Sequence, residues 1–146
     1  MNTVNSVVIH HGKSLQAPIF WGLVFGLVTV AAPLAFWWLD QATFHALSIC
    51  GIATVYVGFA LADGRPRVFV VETAVAVGFI LIATVGVVGP ASLLVVGYAA
   101  HGLKDLWQER NQYVANTRWW PPFCVTIDWT VAVILLVEIA AGVNFR

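Results

Sequence analysis

From Pro18 onward the chain is a succession of apolar runs, each close to the ~20 residues a helix needs to cross ~30 Å of hydrocarbon. Five helices are expected, at about 18–39, 43–62, 68–88, 91–107 and 122–143. Runs of this length exclude ordinary strands. In lipid the backbone must satisfy its own hydrogen bonds, which leaves the helix as the natural form. The expected architecture is an all-α integral membrane bundle. A polar tail over residues 1–17 precedes one membrane domain over 18–146.

Composition points the same way. Of 146 residues, 60% are hydrophobic and 10% charged, against about 25% charged in a soluble domain. Such a chain has too few polar groups to cover a water-facing surface. Formal net charge is zero, so no basic excess points to nucleic acid. Cys50 and Cys124 fall toward opposite ends of their helices, farther apart than the roughly 7 Å a disulfide allows between Cα atoms. The first apolar run is too long for a signal-peptide core and lacks a basic leader and a small-residue cleavage site. It is expected to stay as a helix.

The punctuation fits these boundaries. Asp63-Gly64-Arg65-Pro66 reads as a turn, and Gly89-Pro90 divides one long apolar run into a tight hairpin. Pro121-Pro122 suits a helix start, while Pro33 falls inside the first run and predicts a kink. Gly22 and Gly26 form a G-x-x-x-G that suits close packing, within the chain or between copies. With five crossings, Lys13, Arg65, Arg67, Lys104, Arg110 and Arg118 share one side and Arg146 lies on the other. The positive-inside rule puts the six in the cytoplasm, the N-terminus inside and the C-terminus outside, in a cell (inner or plasma) membrane. Trp119 and Trp120 then suit the inner interface, and Trp37 and Trp38 the outer one.

An ionised side chain at mid-membrane costs about 2.5–3.5 kcal/mol on insertion scales, so each one needs a partner or a role. The candidates are His45, Glu72, His101, Asp105, Asp128 and Glu138. Glu72 is expected roughly 7 Å inward from Arg67, and Asp128 roughly 9 Å inward from Pro122. His101 and Asp105 lie in the inner half of the fourth helix, four residues apart and so on one face. Cys124 and Asp128 repeat that spacing on the next helix. Glu72, His101, Asp105 and Asp128, with Cys124 as neighbour, thus reach a similar depth. Such a set suits a divalent metal, since carboxylates favour hard cations and imidazole favours zinc or iron. It equally suits proton transfer. Simpler pairings compete: His101 with Asp105 along one helix, Asp128 with Lys104 or a loop arginine, and His45 with Glu138.

The run His101-Gly102-Leu103-Lys104-Asp105-Leu106-Trp107, then Trp120-Pro121-Pro122-Phe123-Cys124 and Asp128, resembles a family of small bacterial integral membrane proteins. The segment Gly58–Arg65 and Glu72 share in this resemblance, which covers roughly the last 90 residues. It implies a helical membrane fold and draws attention to the same polar residues, but implies no activity. Further histidines tend to follow the H-G-x-x-D segment in that pattern, where this chain has Gln108, Glu109 and Arg110. Three readings stay open. The cluster binds or transports a cation, proton or small polar ligand; or it serves a membrane-embedded enzyme, with or without metal, acting on a lipid or isoprenoid-like substrate; or the protein is a structural subunit or assembly factor. The expected partners are the bilayer and a second copy or another member of a membrane complex.

Overall fold

The computed structural model describes residues 15–146, so most of the expected polar tail, including Lys13, lies outside the described residues. Five α-helices follow one another: α1 (Gln16–Ala31), α2 (Gln41–Asp63), α3 (Pro66–Val88), α4 (Ser92–Asn111) and α5 (Trp120–Ala140). No strand is present among the described residues. Four helical stretches, Gln16–Leu34 and those of α2, α3 and α5, are long and apolar enough to cross a membrane. At 1.5 Å per residue, the 23 residues of α2 and of α3 each span about 34 Å. Their outward faces carry side chains that water would reject, such as Leu61 at 70% exposure and Val88 at 80%. The protein is a helical, multi-pass membrane protein.

The fourth helix differs from the other four. It carries too many polar residues to rank with the apolar spans, and it packs against α2, α3 and α5. Its buried stripe reads Leu94, Gly97, Tyr98, His101, Gly102, Asp105 and Gln108, so apolar and polar side chains share one core-facing seam. On α5 the matching seam runs through Cys124, Ile127, Asp128, Val131, Ala132 and Leu135. The polar cluster is therefore part of the core.

Two expectations about α1 need correction. The α-helix ends at Ala31 and not near 39, passing into a 3-10 turn over Ala32–Leu34. Pro33 stops the α-helix where a kink was expected, because it supplies no N–H to continue the ladder. Trp37 and Trp38 then lie in a turn, 84% and 65% exposed. The G-x-x-x-G serves packing inside the chain. A Cβ on Gly22 would meet Phe123 O at 2.5 Å and Thr126 Cβ at 2.7 Å, and one on Gly26 would meet Thr130 Cβ at 2.9 Å. α1 is thus pressed onto α5.

Helix ends are satisfied by short-range chemistry. Asp40 caps α2 by accepting from Thr43 N–H at 2.8 Å, and hydrogen bonds from Thr43 hold its carboxyl below the usual carboxylate range. Asp40→Ala is expected to lower stability by about 1 kcal/mol, measured by unfolding in detergent micelles. Gly64 closes α2 in the left-handed region at φ 78°. Asp63 takes up Arg65 and the Ala115 N–H, while Arg65 also donates to Tyr113 O at 2.6 Å. These residues, read from the sequence as a turn, also tie the α2–α3 turn to the α4–α5 loop.

Candidate functional site

The local spacing of α4 builds the centre of the site. His101, Lys104, Asp105 and Gln108 stand at i, i+3, i+4 and i+7 and so lie on one face. Gly102 lets that face approach α5 closely, since a Cβ there would run into the Trp129 indole and meet Asp128 Cβ at 3.4 Å. The result brings His101 Nδ1 to 2.7 Å from Asp128 Oδ2 across the interface, and 3.4 Å from Asp105 Oδ2 within α4. The interhelical contact is the tighter of the two, so His101 is chiefly the partner of Asp128. All three side chains are at most 1% exposed.

Cys124 completes the group. His101, Asp105, Cys124 and Asp128 each offer one ligand atom, all within 4.8 Å of one another and all buried. Metal–ligand bonds of about 2.0–2.3 Å place two donors of one ion at most about 4.6 Å apart. A tetrahedral ion would need its donors about 3.3–3.8 Å apart, so the four lie in one neighbourhood but would have to draw together to share an ion. The donor set of carboxylates, imidazole and thiol is that of a zinc- or iron-type site.

Glu72 does not join them. It lies 2% exposed on α3, and its Oε2 sits 2.7 Å from Lys104 Nζ. The ammonium is turned off hydrogen-bond alignment toward that oxygen, because it lies 2.9 Å from the centroid of the Tyr56 ring. Charge and the ring face together hold it there. Lys104 was expected among the free cytoplasmic charges and as a partner for Asp128. Its four-carbon stem instead carries the ammonium into the bundle, with 13% of the side chain exposed.

Tyr56 and Lys104 are the residues that sequence reasoning missed. Tyr56 donates its hydroxyl to Asp105 Oδ1 at 2.6 Å, so α2 also fixes the site. The signal for Lys104 was its place in the same helical stripe as His101 and Asp105. Tyr56 gave none, being one aromatic among many. Phe79 covers the His101 ring edge-on, with centroids 5.0 Å apart. His45 and Glu138 do not pair with each other. His45 Nδ1 lies 3.2 Å from Tyr98 Oη, and Glu138 accepts from Gln41 Nε2 at 2.8 Å.

Charge accounting shows what the site lacks. Glu72 and Lys104 offset one another, leaving two aspartates against a single imidazole. Asp105 Oδ2 and Asp128 Oδ1 are buried with no hydrogen-bond donor among the described residues. Orphaned carboxylate oxygens in a low-dielectric interior are expensive, and either a bound cation or a proton on one of the two carboxylates relieves that cost. No protein-family model, curated protein or solved structure matches the chain.

Proposed function

We propose that this protein binds one divalent transition-metal ion within the membrane, through His101, Asp105, Cys124 and Asp128. The reading is carried by the four buried ligand atoms that lie within 4.8 Å of one another, with an oxygen on each aspartate left without a donor among the described residues. Tyr56 orients Asp105 by donating to Oδ1, the oxygen left over when Oδ2 meets the ion, as the hydrogen-bonded carboxylates of metal sites commonly are. Phe79 keeps water from the imidazole. The site lies toward the end of the bundle that carries Arg65, Arg67, Arg110 and Arg118, which the positive-inside rule assigns to the cytoplasm. Glu72, first grouped with the ligands, serves here as the counter-charge of Lys104.

Elemental analysis of the purified protein tests this directly. About one zinc or iron per chain is expected after loading and desalting. Asp128→Ala and Cys124→Ala should each lower affinity by more than the roughly 10–100-fold typical of outer-shell changes. Glu72→Gln should retain the metal. Sub-stoichiometric metal in the parent protein, or equal metal in the parent and Asp128→Ala, refutes the assignment and leaves a purely structural hydrogen-bond network.

A further inference from the structure

The metal group is sealed inside the bundle: none of its four ligand residues is more than 1% exposed. An ion therefore needs a way in. Two clefts reach a ligand. One, between α1, α2 and α5, has Cys124 in its wall and no charged side chain. The other, of about 440 Å³, lies between the start of α1, the end of α4 and the start of α5, and its wall includes Ile19, Asp105, Glu109, Pro122 and Thr126. About six waters at ~30 Å³ each fill roughly 180 Å³, so an ion fits there with its first hydration shell.

Charge tells the two clefts apart. An ion that leaves water for a wall without charge loses hydration and gains little in return. The second cleft carries two carboxylates and no basic side chain, and a wall of one sign focuses the field and concentrates counter-ions. Asp105 stands at the ligand end. Glu109 is four residues on, so it shares that face of α4 and lies about 6 Å nearer the helix end. It is half-buried and has no lysine or arginine within 4 Å among the described residues. Each carboxylate also keeps one oxygen, Asp105 Oδ2 and Glu109 Oε2, without a hydrogen-bond donor among the described residues.

We infer that the cleft between α1, α4 and α5 is the entry route for a divalent cation, with Glu109 as the residue that draws the ion from water and passes it to Asp105. The wall selects its occupant by sign: anions are repelled, and a neutral molecule gains nothing from the two carboxylates. Glu109 works before the ion is seated and is no ligand of the final site. The inference rests on the metal assignment and adds the path of the ion and its first contact.

The rate of loading tests it. The full chain in an uncharged detergent, stripped with a chelator and desalted, is mixed with cobalt(II), and the visible absorption of the bound ion is followed in time. Glu109→Gln should slow uptake about three- to tenfold at low ionic strength, with the same one ion per chain at the end and no loss of thermal stability. The gap should narrow in ~0.5 M salt, because screening weakens capture at the mouth of the cleft. Glu109→Asp keeps the charge and should load at close to the parent rate. Gly51→Phe projects into the other cleft, from a position whose Cβ meets nothing within 4 Å, and should leave uptake unchanged. Equal uptake by the parent and Glu109→Gln, or uptake slowed by Gly51→Phe alone, overturns the route while the metal site stands. A lower final stoichiometry in Glu109→Gln would make Glu109 a ligand and overturns the capture role as well. A parent that takes up no ion removes the metal reading, and the route with it.

Discussion

Lys104→Met is expected to destabilise the bundle by about 3–5 kcal/mol, the largest single loss of stability foreseen for this protein. The ammonium is the only cation within 4 Å of the Glu72 carboxylate among the described residues, and Glu72 is 2% exposed. Removing the lysine strands a charge that neither water nor lipid can solvate. Methionine replaces the stem with a similar volume, so lost packing is a small part of the effect. The partner substitution makes the argument specific. With Glu72→Gln in the same chain, no charge is left to strand, and most of the loss should return. Reversible unfolding in mixed micelles, run on the two single variants and the double, gives the coupling. A Lys104→Met loss below about 1 kcal/mol, or a double variant no better than Lys104→Met alone, would show that the pair does not hold α3 to α4.

The same pair marks the boundary of what the chain discloses before it folds. Helix number and type are written in the length of the apolar runs, because ~20 consecutive apolar residues have few other outcomes. The ends are less legible. Pro33 and the aromatic residues after it are as apolar as the helix they terminate, so hydropathy alone carried the first helix on to residue 39. Depth is readable too, since each residue adds a fixed 1.5 Å, and it correctly brought His101, Asp105, Cys124 and Asp128 to one level. Glu72 shares that level without sharing the group. Depth is one coordinate of three; the direction a side chain takes around its helix decides its partner, and in helices apolar on every face no periodicity reveals it. Lys104 failed for a related reason. Its charge reads as a loop residue, while its stripe on α4 reads as core, and the long stem allows the second.

Close approach between helices, which sequence inspection could only suggest through Gly22 and Gly26, turns out to govern the site itself through Gly102. Gly102→Leu should weaken metal binding by roughly 100-fold and lower stability by about 1–3 kcal/mol. A side chain at this position has no room against Trp129 and Asp128 Cβ, so α4 and α5 must separate. His101 and Asp128 face each other across that seam at 2.7 Å. A shift of even 1 Å removes the contact that organises the group. Two controls distinguish this cause from others. Gly58→Ala changes a glycine of α2 whose Cβ would meet nothing within 4 Å; it should be neutral or slightly stabilising, as helix propensity alone predicts. Gly22→Leu should pry α1 from α5 by the same steric means, yet retain the metal, because α1 contributes none of its four ligands. Metal retained in Gly102→Leu would mean that the ligands do not depend on the α4–α5 seam.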